Sequence, residues 1–174
     1  RQDSIGVRLE DLKRHPKETM AALCDWMGIK DSPTLYEMTA QGKKWWGDPS
    51  SPDYSPKGMS PFDDSAIVRE AGSVFNAQDQ FILRTLFYPF SVRFGYVEEN
   101  HTGFKEDLKA IKTLLDEPFG FQEKLAENLN QDLDTITHSS YALYLRTALH
   151  DRWTVLNKFN DYPNMLNPLV IQDF

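Results

Sequence analysis

The sequence predicts a mostly α-helical chain with one or a few short strands, and three observations carry that expectation. Apolar residues recur at three- and four-residue spacing over most of its length, the period of a helix with one buried face. Period-two alternation, the mark of a half-buried strand, is confined to Ile5, Val7 and Leu9 against Gly6, Arg8 and Glu10. Asn, Pro and Gly fall at the ends of the helical stripes, where caps and breaks belong.

Residues 5–29 form the founding stretch. Ile5, Val7 and Leu9 give a strand with one apolar side, and Pro16 sits where a helix tolerates a residue without an N–H. Met20, Leu23, Cys24 and Met27 then lie on one stripe that Gly28 closes, with Leu23 at its centre. Glu10 and Asp11, adjacent on such a strand, point to opposite faces, so they do not form a proton-sharing dyad and are read as structural.

From Ala40 to Asp64 Pro and Gly are too frequent for a core element, and a loop of this length is more often functional than idle. Its Trp45, Trp46 and Tyr54 have the area to anchor it. Asn76 is placed to cap a helix from Ala77, with Asp79 in its first turn and Phe81, Ile82, Thr85 and Leu86 on one face. Pro89 is expected to kink that helix and Gly95 to end it, the kink opening space around Phe87, Tyr88 and Phe90. Three further stripes follow: Phe104, Leu108, Ile111 and Leu115; Phe121, Leu125, Leu129 and Leu133; and Tyr141, Leu145, Ala148, Arg152, Leu156 and Phe159. They predict three packed helices, with an extended apolar tail at 169–171.

Composition narrows the functions. With 174 residues and 40% apolar composition the chain can bury a core. Nineteen basic against 26 acidic residues leave a net charge of −7, which argues against general nucleic-acid binding. The first 60 residues hold nine of each sign, so the later part carries the whole imbalance and the front is the less repulsive place for an anion. No apolar run reaches the ~18 residues of a membrane span. The one cysteine excludes an internal disulfide and fits a reducing, cytoplasmic setting. The four histidines show no ligand spacing, so no metal is expected. The chain starts directly before a strand and without Met, which predicts a piece of a longer protein.

Several motifs in order carry a resemblance. VRLEDLKRHPKETMAALCDWMGI, with Glu10, Asp11, Leu12, Pro16 and Gly28, resembles the late strand and helix of PAPS-dependent sulfotransferases. Leu9 stands where cytosolic members commonly carry Tyr. The likeness continues through PTLYEM at 33–38, the Gly/Lys loops and FNAQDQFILRTLF…RFGY, covering about residues 4–96. It implies an α/β P-loop-like sulfotransferase fold, present as its C-terminal portion at 1–96, with a helical extension at 97–174. It also implies transfer of a sulfuryl group from PAPS to a hydroxyl or amine of a small-molecule or glycan acceptor.

The resemblance suggests where the donor's nucleotide sits. GKKWWGD at 42–48 is similar to a Gly-x-x-Trp-x-Gly-Asp segment of bacterial members, in which Gly42 permits close approach and Lys43 or Lys44 supplies charge. YSPKGM resembles an Arg-Lys-Gly phosphate motif through Lys57 and Gly58, with Pro56 in the arginine position. Both segments read equally as solvated loops. Thr34 resembles a Thr beside the nucleotide base, or else caps the turn after Pro33. No glycine-rich strand-to-helix loop with Lys and Ser/Thr exists in the chain, so the sulfuryl-binding loop and the catalytic base are expected in a missing N-terminal segment. The competing expectation is a non-catalytic helical interaction module with 97–174 as its working surface.

Overall fold

The computed structural model describes residues 4–41, 43–44, 50, 62, 74–159 and 165–171. The chain divides into two compact units: residues 1–69 with 166–174, and residues 70–165.

In the first unit the expected strand does not continue to Leu9. Leu9 opens α1 (Leu9–Arg14), which leads through His15 into α2 (Pro16–Met27). The reason lies in the charges: Glu10 and Asp11 occupy the first turn and Lys13 and Arg14 the last, each matching the helix dipole. Arg8 clamps the start, its Nε and Nη2 donating to the two oxygens of buried Asp11 at 2.7 and 2.6 Å. What remains of the expected strand is Gly6, which forms an isolated parallel bridge to Pro168. Gly6 N–H donates to Asn167 O at 2.8 Å, and Leu169 N–H donates to Gly6 O at 2.7 Å.

In α2 the expected limits hold, with Pro16 at its first position and Gly28 in the left-handed region at φ 72°. Its buried face is turned from the expected stripe. Thr19 and Cys24 are buried, Leu23 is half-buried and Met27 is exposed. A 3-10 turn (Pro33–Tyr36) precedes two short strands, β1 (Thr39–Ala40) and β2 (Lys43–Lys44), paired antiparallel.

The implied α/β P-loop-like sulfotransferase fold is therefore corrected: among the described residues that ladder is the whole of the sheet structure, and no parallel sheet is present. The alternation that suggested a longer strand is too short to compete with a capped, charge-matched helix start.

The second unit is helical. Asn76 opens α3 (Ala77–Leu86) with a reciprocal cap: its Oδ1 accepts from Asp79 N–H at 2.8 Å, and Asp79 Oδ2 accepts from Asn76 N–H at 3.3 Å. Pro89 does more than bend the helix; the chain breaks at Phe87 and restarts as α4 (Tyr88–Arg93), which Gly95 follows at φ 70°. Next come α5 (His101–Ala110), a 3-10 turn (Leu114–Asp116), α6 (Gly120–Leu129), α7 (Leu133–Thr137) and α8 (Ser140–Phe159). The core joins Ile82 and Leu86 to Phe104, Leu108, Ile111, Leu115, Leu149 and Leu156.

Two of the three late stripes need adjustment. Leu125 and Leu129 are exposed, and α6 instead buries Gln122 and Ala126. On α8 the inward line runs through Ala142, Leu149 and Leu156, leaving Tyr141 and Phe159 exposed. Polar contacts explain the choice. Gln122 Oε1 accepts from Phe119 N–H at 2.9 Å, so burying the amide costs little, and Gly120 packs so close to Asn76 that a Cβ there would collide with its side chain. Gly120 N–H in turn donates to Asp79 Oδ1 at 2.9 Å, tying the starts of α3 and α6 to one carboxylate. Arg152 Nε donates to Leu86 O at 2.7 Å with its guanidinium over Phe87, and Trp153 Nε1 donates to Leu108 O at 2.7 Å. These bonds satisfy carbonyls at the ends of α3 and α5.

Candidate functional site

Of the residues suggested for the nucleotide, Thr34, Lys43 and Lys44 are described, the first in the 3-10 turn and the other two on β2. Thr34 lies in the 3-10 turn, exposed, its hydroxyl 3.0 Å from that of Ser32. It does not cap the turn, whose start has no side-chain hydrogen bond. Tyr36 O–H donates to Asp31 Oδ2 at 3.2 Å, and its ring tilts against Phe62 at 6.0 Å between centroids. Desolvation, reinforced by the Asp31 carboxylate, pushes the Tyr36 phenol above its ordinary pKa. The contact with Phe62 gives the long loop an aromatic anchor outside the tryptophans and tyrosine that the sequence singled out.

Lys43 and Lys44 make up β2, with Lys44 opposite Thr39 and Lys43 opposite Ala40. Between the two strands Gln41 takes φ 53°, a conformation common in tight hairpins that side chains other than Asn, Asp or Gly adopt reluctantly. The backbone thus sets two lysines directly after a sharp turn. Gly42, Lys57 and Gly58 lie outside the described residues, as do Trp45, Trp46 and Tyr54.

Asp11 has a definite structural role, holding Arg8 at the start of α1, while Glu10 is half-buried beside it on the same helix. The sequence did carry a signal for this pair: an arginine three residues before an acid at a helix start. Among the described residues no group of three His, Cys, Asp or Glu side chains is arranged to hold a metal. None of the described helices is long and apolar enough to cross a membrane.

No family model, curated protein or solved structure matches this chain.

Proposed function

We propose that the chain is the C-terminal portion of a PAPS-dependent sulfotransferase, serving transfer of a sulfuryl group from the donor to a hydroxyl or amine of a small-molecule or glycan acceptor. The sulfuryl-binding loop and the base would come from an N-terminal segment outside these 174 residues. The observation that supports this best is the order of motifs along residues 9–48, together with the hairpin that sets Lys43 and Lys44 beside Gly42. Adjacent strand residues face opposite sides, so Lys43 or Lys44, one of the two, would supply the compact charge that suits a phosphate close to the turn. The roughly even charge of the front of the chain lowers the repulsion an anion meets there. The lone, buried Cys24 fits the cytoplasmic setting that belongs to this reading.

Calorimetry on the full chain tests it, with adenosine 3′,5′-bisphosphate and adenosine 5′-phosphate as the paired ligands. The bisphosphate should bind more tightly, and Lys43→Ala with Lys44→Ala should weaken it far more than the monophosphate. Losing one charge-assisted contact costs about 1.5–3 kcal/mol, roughly tenfold or more in affinity. Equal binding of both ligands, or an equal effect of the substitutions on each, removes the nucleotide site. The same chain should show no sulfuryl transfer by itself, and measurable turnover would overturn the division of labour with a missing segment.

One observation favours a second reading, a non-catalytic helical interaction module. Leu125, Leu129 and Tyr144 expose large apolar surface on α6 and α8. Under that reading neither adenosine ligand binds, and substitution of the hairpin lysines changes nothing that calorimetry detects.

A further inference from the structure

The second unit contains a cavity of about 380 Å³ between residues 74–75, α3, the start of α6 and the first half of α8. That volume falls within the range of about 300–1,000 Å³ typical of small-ligand sites. We infer that this cavity binds one neutral, ring-bearing apolar molecule.

The chemistry of the walls selects the ligand. Phe75, Phe119, Phe121 and Tyr141 present aromatic surface, and Leu83, Leu145 and Leu149 complete the lining with Val74. No carboxylate, ammonium or guanidinium is among these lining residues, so a charged ligand would shed its hydration without gaining a counter-charge. The Tyr141 hydroxyl is the one polar side-chain group among them, on a side chain 66% exposed and hence at the mouth. It offers a single hydrogen bond to a molecule whose body lies deeper.

The walls are also held in place before anything binds. Phe75 and Phe121 meet edge to face at 5.9 Å, and Phe119 and Phe121 stand 5.5 Å apart. The backbone carrying these rings is fixed by hydrogen bonds: Phe75 O accepts from Gln80 Nε2 at 3.0 Å, and Phe119 N–H reaches Gln122 Oε1. Between Phe119 and Phe121, Gly120 is bound to the buried Asp79 carboxylate. Phe119 and Leu149 belong to the core itself, so the inner wall cannot open without disturbing it. A preformed cavity spares the ligand the cost of ordering its site.

Size decides against a protein occupant. The cavity is lined by eight described residues, whereas a stable protein interface uses about 20–30 on each side. One turn of a helix with its side chains, about 10 Å across and 5.4 Å high, would already take up on the order of 400 Å³.

Fluorescence titration of the full chain with N-phenyl-1-naphthylamine, a neutral two-ring-system probe, tests the proposal. One probe should bind per chain, and the anionic 1-anilinonaphthalene-8-sulfonate should bind at least about tenfold more weakly. In the unaltered, methyl-labelled protein, nuclear Overhauser effects should run from the probe to Leu83, Leu145 and Leu149. Leu145→Trp, which places an indole in the space, should abolish the signal, while Leu129→Ser on exposed α6 surface should leave it unchanged. Absence of binding up to the probe's solubility, several probes per chain, or Overhauser effects to other methyl groups would each overturn the site. Equal affinity for the anionic probe would overturn the ligand class. Sedimentation reports the rival occupant: a concentration-dependent dimer that the probe dissociates would mean that a second copy fills the cavity. Adenosine 3′,5′-bisphosphate should not alter probe binding, so this site stands or falls separately from the nucleotide site.

Discussion

The two units stabilise their helices by different means. In the second unit, side chains far apart in sequence satisfy each other's helix ends: Asp79 serves Gly120, Arg152 serves Leu86 and Trp153 serves Leu108, around a continuous apolar core. In the first unit the clamp at the start of α1, Arg8 on Asp11, is made within one turn of the chain, and Cys24 is the one buried hydrophobic residue among those described there. Among the described residues, the hydroxyl of buried Thr19 even finds no hydrogen-bond partner. The difference shows that helix content alone does not measure how firmly a region is built; what matters is how many of its polar termini are tied to a packed core.

The sharpest way to break this comparison is to shave one buried side chain from each unit. Leu86→Ala, at a fully buried core position, should cost about 2–5 kcal/mol, because burial is lost and a cavity remains. Cys24→Ala removes a single heavy atom and should cost about 1 kcal/mol. Denaturant midpoints followed by circular dichroism give both values, and a larger loss at Cys24 would reverse the ranking of the units.

A smaller effect tests the long-range polar ties. Asp79→Ala should destabilise the second unit by about 2–3 kcal/mol, since it leaves the N–H groups of Asn76 and Gly120 without their acceptor. Hydrogen exchange should accelerate at the first turns of both α3 and α6. Faster exchange in α3 alone would show that the carboxylate is an ordinary local cap and not a link between the helices.

The smallest effect has the opposite sign. Thr19→Val keeps the shape and removes the orphaned hydroxyl, so it should raise stability by about 1 kcal/mol or less. A clear loss in thermal melting would mean that the hydroxyl has a partner in solution and that the first unit is better satisfied than its described contacts indicate.

Much of the helical framework was legible where local chemistry decides it. Pro16 and Gly28 bracket α2, and Asn76 with Asp79 starts α3, because caps act within a few residues. The face that each helix buries was less legible. Apolar spacing marked Leu125 and Leu129 for the core, but the close approach of Gly120 to Asn76 turns Gln122 and Ala126 inward, and that approach depends on a distant segment. The strand at residues 5–9 was misread for a local reason: alternation over five residues is weaker than the charge pattern of α1. Of the nucleotide residues, Lys43 and Lys44 fall on a short strand inside the stretch that the sequence marks as a loop, because a two-residue ladder has no pattern of its own to read. The apolar cavity went unforeseen, since its walls come from four separated segments and share no motif.

The pairing of Gly6 with residues 167–169 has a consequence for the order of assembly. During synthesis Gly6 must wait until residues 167–169 have emerged before it can form this bridge. Residues 70–165 need not wait, because their contacts close among themselves.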